Sequence, residues 1–233
     1  MPSESELILP AEGSVYKFAD PMPGDPDGFV GRGGDLSPQC LVDGYSQGCF
    51  PWYYRFGSYH WYSPDPRMVL FPSQFQCSKS LKRVIKSGKF EVRIDTCFRE
   101  VITNCSAVRY KRRYSSWITP DYIEAYSAMH ELGLAHSFET FADGALVGGL
   151  YGLSLGAAIF GESMFHTRSD ASKVAFAMLV DFCKSHGILL IDAQQETPHL
   201  ASLGAMPIPR ILFIDILKKT NQYETLRGKC TEM

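Results

Sequence analysis

The chain has 233 residues, 45% of them hydrophobic and 21% charged, with a formal net charge of −2. Those values suit one large or two modest globular domains with a full core. They exclude a whole-molecule field that draws in nucleic acid, so any RNA contact must come from a local patch.

Residues 1–34 are rich in Pro, Gly and Asp and predict irregular structure. The opening MPSESELILPAEG has neither a basic region nor a long apolar run, so no signal peptide is expected there. DLSPQCLVDGYSQG predicts a short helix with Ser37 as cap, Pro38 in the first turn and Gly48 at the end. CFPWYYRFGSYHWYSPDPR follows, with eight aromatic rings besides His60 and three prolines. It predicts a folded aromatic loop rather than one regular element.

SKSLKRVIKSGKFEVRI carries Lys79, Lys82, Arg83, Lys86, Lys89 and Arg93 against the single acid Glu91. Leu81, Val84 and Ile85 form an apolar stripe at helical spacing beneath that charge. TPDYIEAYSAMHELGLAHSF predicts a second helix, with Thr119 as cap, Pro120 at its first position and Gly133 at its end. Short apolar strands divided by Asp143-Gly144 and by Gly156 then predict an antiparallel meander. SDASKVAFAMLVDFCKSHG is apolar nearly all round and predicts a buried helix, capped by Ser169 or Asp170 and ended by Gly187. After it come a core strand (ILLIDAQ), a short helix (TPHLASLGAM) and a last strand (RILFIDIL); the polar tail from Lys218 is expected to add little. The order predicts an α+β fold with a mixed sheet: a small N-terminal unit over 1–63 and a larger domain over 64–233.

Several residues stand out chemically. In IFGESMF, period-two alternation predicts that Phe160, Glu162 and Met164 share one face. A carboxylate between a ring and a thioether is costly unless it finds a partner or a proton. Glu162 is therefore an edge-strand acid, a partner of Arg168 or Lys173, or a site awaiting a cation from outside. Asp192 and Gln194 stand two apart at the end of a core strand, where active groups collect and where strand-end hydrogen bonding is equally natural. The aromatic segment is core or stacking surface. The basic helix is a solvated face or a phosphate-binding one, and RYKRR at 109–113 is a weaker second patch.

Other classes are disfavoured. The seven cysteines are odd in number, irregularly spaced and without CxxC, which argues against a disulfide framework or zinc site. Neither HExxH nor a His pair at i, i+4 occurs. No GxSxG elbow is present, and no GxxxxGK[ST] or GxGxxG stands between strand and helix. No run of 18 apolar residues predicts a transmembrane helix, so a reduced, cytoplasmic protein is expected.

Nine strings carry a family likeness: GGDLSPQCLVDGYSQGCFPWY, WYSPDPRMVL, WITPDYIEAY, HELGLAHSFE, LVGGLYG, GESMF, ASK, IDAQ and HLASLGAMPIPR. Running in order from Gly33 to Arg210, they resemble the leucyl/phenylalanyl-tRNA–protein transferases. The resemblance implies a larger domain with an acetyltransferase-like (GNAT-like) fold and a mostly antiparallel sheet. It implies transfer of Leu or Phe, and possibly Met, from aminoacyl-tRNA to proteins with N-terminal Arg or Lys, marking them for degradation. Neither metal nor organic cofactor is implied; aminoacyl-tRNA is the donor, met at its 3′ end and acceptor stem.

By the same match, Asp192 and Gln194 are the catalytic pair and Glu162 holds the acceptor cation. Trp52, Trp117, Leu150 and Met164 wall an apolar pocket, and Tyr45 and Tyr126 join the substrate-binding set. Lys79, Lys82, Arg83, Lys86 and Lys89 meet the tRNA. The chain departs from the family pattern at Leu150, at His166, over Gln195–Thr197 and in the loop AVRYKRRYSSW. An acyl-CoA N-acetyltransferase would want a glycine-rich loop where HTRSDASK stands. A non-enzymatic RNA-binding module is the other rival, and it would ignore the aminoacyl group.

Overall fold

The computed structural model describes residues 16–20, 25, 27–111 and 116–228. A first strand, β1 (Phe29–Arg32), leads to helix α1 (Pro38–Ser46) and the hairpin β2 (Phe50–Arg55) and β3 (Ser58–Tyr62). These strands form a three-stranded sheet in the order β1-β3-β2. The aromatic segment is thus a regular hairpin, not a loop. Its prolines lie at Pro51, whose neighbour Trp52 is left out of register, and beyond the last paired residue.

The chain then enters a seven-stranded sheet. It comprises β4 (Arg67–Leu70), β5 (Glu91–Ile94), β6 (Ala135–Ala142), β7 (Ala145–Leu155), β8 (Ala158–His166), β9 (Leu190–Gln194) and β10 (Met206–Ile208). The order is β10-β4-β9-β8-β7-β6-β5, and every neighbouring pair is antiparallel except β8–β9. Helices α2 (Lys79–Lys86), α3 (Phe98–Lys111), α4 (Pro120–Glu131), α5 (Ala171–Ser185), α6 (Pro198–Ser202) and α7 (Arg210–Thr220) complete the α+β fold.

Sheet alternation divides the core. Leu153, Tyr151, Phe165 and Leu190 join a cluster with α1, α3, α4 and the small sheet. Phe138, Leu150 and Ile191 join another with α5. Of the predicted caps, Ser37 Oγ accepts from Cys40 N, whereas Thr119 and Asp170 stand at the N-cap positions of α4 and α5 without a side-chain capping bond; Asp143-Gly144 turns the meander with positive φ at both residues. Gly156 turns it again, where a Cβ would sit 2.2 Å from the Thr220 carbonyl oxygen.

RILFIDIL folds as α7, not as a strand. Its β-branched residues suggest a strand, but Phe213, Leu217 and Thr220 are buried at helical spacing while Ile211 and Leu212 face out. The segment beyond it also packs. Ala157 N donates to Thr220 O at 2.9 Å, and Gly156 N to Thr225 Oγ1 at 2.8 Å. No helix among the described residues is long and apolar enough to cross a membrane.

Candidate active site

The parallel pair β8–β9 stays in register only from Ala158↔Leu190 to Phe160↔Asp192. Beyond that point the strands part, and a cavity of about 420 Å³ opens between Gly161–Met164 and Ile191–Gln195. Phe50, Trp52 and Trp117 close one side of it; Leu150, Phe176 and Leu179 close another. The four predicted apolar walls therefore meet around one space, and Leu150 and Met164 are direct cross-strand partners.

Three bulges shape this cavity. Tyr151↔Ser163 is followed by Gly152↔Gly161, which leaves Glu162 as the extra residue of β8. Ala193 is extra in β9 opposite β4, and Trp52 in β2 opposite β3. All three line the cavity. A bulge breaks alternation and re-aims side chains. Phe160, Glu162 and Met164 accordingly do not share one face: Phe160 packs with Tyr45, and Met164 packs in the α5 cluster. Plain alternation fails because it assumes an unbroken ladder.

Glu162 is buried and, among the described residues, pairs with no basic side chain; Arg168 pairs with Asp143 and Lys173 with Asp170. Its carboxylate accepts from Tyr45 OH (2.6 Å), Tyr126 OH (3.3 Å) and Gln194 Nε2 (2.8 Å). Burial pushes its pKa up to about 7, with Asp192 adding to the rise and the Tyr45 hydrogen bond opposing it. The Tyr45 and Tyr126 hydroxyl oxygens lie 2.5 Å apart and are fully buried, so their two protons serve the three contacts of this triad in turn, between each other and to Glu162. Both tyrosines reach Glu162 and are not among the residues that line the cavity.

Asp192 and Gln194 do come together, through the backbone. Asp192 Oδ1 accepts from Gln194 N at 2.9 Å, and Gln194 holds φ +61°, a left-handed conformation that ends the strand. Asp192 is fully buried and is gripped by Arg67, whose Nε and second terminal nitrogen donate to its two oxygens at 2.8 and 2.6 Å. Arg67 also donates to the Gly48 carbonyl and lies between the Phe50 and Phe213 rings. Sequence reasoning did not pair it with Asp192. The available signal was a lone cation in RMVL and a lone acid in ILLIDAQ, two apolar strands that each need a counterion.

Lys79, Lys82, Arg83 and Lys86 project from α2, and Lys89 from the turn after it; all are exposed and none lines the cavity. The RYKRR patch lies outside the residues whose side chains are described. At the departures, Thr197 Oγ1 caps α6 by accepting from Leu200 N, and His166 is exposed beside Ser172. Among the described residues, no group of three or more His, Cys, Asp or Glu could hold a metal.

A family model described as leucyl/phenylalanyl-tRNA protein transferase matches residues 69–218, and the model of that enzyme's N-terminal domain matches 34–65. The chain is 48% identical over 212 residues to the leucyl/phenylalanyl-tRNA–protein transferase of Desulfatibacillum aliphaticivorans, spanning 91% of each. It is 51% identical over 189 residues to that of Dechloromonas aromatica, spanning 81% of each. Among solved structures, an aminoglycoside acetyltransferase from an uncultured soil metagenomic sample overlaps 48% of this chain and 80% of its own, at 14% identity and a TM-score of 0.39.

Proposed function

The chain belongs to the leucyl/phenylalanyl-tRNA–protein transferase family and is an aminoacyltransferase; from that premise we propose that it transfers Leu or Phe, and possibly Met, from aminoacyl-tRNA to proteins with N-terminal Arg or Lys. The product is marked for degradation by its new first residue. One observation carries this reading: the cavity is lined both by apolar side chains and by a buried acid that pairs with no basic side chain among the described residues, with Gln194 on the same wall and bonded to that acid. The donor's side chain takes the cavity and the acceptor's cation takes Glu162.

The chemistry is undemanding. An aminoacyl ester is already activated, and an α-amine with pKa of about 7.7–8.0 is partly neutral near pH 7. Its lone pair attacks the ester carbon, the carbon–oxygen bond to the terminal ribose breaks, and the amine proton ends on the departing ribose oxygen. Holding amine and ester carbon about 3–3.5 Å apart supplies much of the acceleration.

Gln194 donates its amide N–H to Glu162, so its carbonyl oxygen is the group left to accept from the attacking amine. Asp192 has both oxygens on Arg67, and one also holds the Gln194 backbone. In this scheme it positions Gln194 rather than receiving the proton. The exposed cations of α2 and its following turn take phosphates of the acceptor stem. Aminoacyl-tRNA is a co-substrate, and no resident metal or cofactor enters the scheme.

The test mixes the protein, Leu-tRNA and peptides that differ only in their first residue. An Arg-initiated peptide gains the mass of one leucine at its N-terminus, and an Ala-initiated one does not. No gain, or gain regardless of the first residue, overturns the assignment.

A further inference from the structure

The tip of the β2–β3 hairpin is built against expectation. Arg55 pairs with Ser58, and the two residues between them, Phe56 and Gly57, turn with φ +52° and +76°. Such turns favour Asn, Asp or Gly at both positions, and a bulky residue in the left-handed region is strained. Here the first position is a phenylalanine, 93% exposed. It contributes nothing to the core and costs the turn stability.

The strand that leads to this tip carries a row of stacked side chains that begins in the cavity. Trp52 lines the cavity and stacks on Tyr53 with centroids 4.9 Å apart and planes at 15°. The Arg55 guanidinium lies over Tyr53 at 4.3 Å, and Phe56 follows at the tip. Four residues of strand span about 13 Å. From Phe50 to Tyr62 the hairpin carries Arg55 and His60 and no acid. Among the described residues, Asp35 and Asp121 act on Tyr59, and Asp25 and Asp27 act on Tyr62, which packs edge-on against Trp52 and Tyr53.

We propose that the Trp52–Tyr53–Arg55–Phe56 strip is a stacking platform for the unpaired nucleotides that precede the aminoacylated 3′ end of the donor tRNA. This rests on the tRNA-dependent transfer proposed above and extends its site outward from the cavity. Tyr53 is covered by Trp52 and Arg55, so the groups open to single-stranded bases and their phosphates are Trp52 at the cavity, the Arg55 guanidinium and the Phe56 ring. An acceptor with a cationic end would instead call for an acid, and this strip has none. Its continuity with the cavity fixes the occupant, since the nucleotides joined to the aminoacylated end must leave along a wall.

The test compares two donors, Leu-tRNA and leucyl-adenosine, which lacks the preceding nucleotides. Phe56→Asn suits the left-handed backbone and keeps the turn while removing the ring. It raises the ratio of KM for Leu-tRNA to KM for leucyl-adenosine about tenfold, the scale of one lost base stack. Arg55→Ala moves the ratio in the same direction, and Phe56→Tyr restores it. An unchanged ratio overturns the platform, whether because neither KM moves or because both rise together. A rise confined to the KM of the acceptor peptide overturns it in favour of a protein-docking role. If the wild-type chain uses neither donor, the reaction itself is misassigned. Filter binding of uncharged tRNA then decides the hairpin separately: equal affinity of wild type and Phe56→Asn removes the nucleic-acid role, and weaker binding of the variant sustains it.

Discussion

Glu139 in β6 and Glu162 in β8 are buried acids of one sheet, both pushed up to about 7 by burial. Their surroundings differ. Glu139 accepts from Ser137 Oγ at 2.5 Å and Thr96 Oγ1 at 3.2 Å, with help from the backbone N–H groups of Thr96 and Cys97 at the entrance of α3. It is not among the residues that line the cavity beside Glu162, and it ties a loop to the sheet. Glu162 sits on a bulge, its partners come from α1, α4 and β9, and one side opens to the cavity. A displaced pKa therefore does not mark a site; what marks this one is the empty space beside the acid and the break in the ladder that turns it there.

Substitution should separate the two acids. The largest effect is expected from Glu162→Gln, which keeps shape and removes charge. Steady-state kinetics with an Arg-initiated acceptor should show kcat/KM lower by about a hundredfold, the scale of losing one member of a desolvated charge pair. The substitution also leaves the buried donors Tyr45, Tyr126 and Gln194 one acceptor oxygen short, so a cost of about 1–3 kcal/mol in urea unfolding is expected as well. Glu139→Gln should spare activity. It deprives the hydroxyls and backbone N–H groups of an acceptor and should cost about 1–3 kcal/mol in urea unfolding, with kcat/KM within about twofold of wild type.

The smallest effect concerns pH. Each acid's folded pKa lies above its ordinary value, so its stabilising contribution is complete below the ordinary carboxylate pKa. It is lost as pH rises through about 7. Acceptor binding to Glu162 has the opposite dependence, because the cation needs the ionised form; kcat/KM should rise through pH 7. Tyr45→Phe removes a hydrogen bond that favours the ionised form, and should move that rise upward by about one pH unit. A pH profile that ignores Tyr45→Phe but shifts when Glu139 is replaced would invert the distinction between the acids.

Much of this site was legible in the sequence because apolar context exposes misplaced polarity. Glu162 in IFGESMF and Asp192 in ILLIDAQ each stand out from their strands. Capping Ser37, the Asp143-Gly144 turn and the stripe beneath the basic helix were legible because they depend on neighbours a few residues away. The partners were not: Arg67 meets Asp192 across 125 positions, and Tyr45 meets Glu162 across 117. The bulges were hidden as well, since an extra residue is extra only relative to its partner strand. RILFIDIL misled for a related reason, its helix being chosen by what Phe213 and Leu217 pack against.

The three extra residues have a further consequence for how such an enzyme diversifies. A residue that no partner strand opposes can change size or charge without disturbing the hydrogen-bonded frame on either side. Positions 52 and 193 are therefore replaceable sockets in a fixed rack, while the occupant of 162 is set by Tyr45, Tyr126 and Gln194. Retuning what the cavity accepts should begin at those two sockets, while deleting any one of the three residues would restore plain alternation and erase the pocket's geometry altogether.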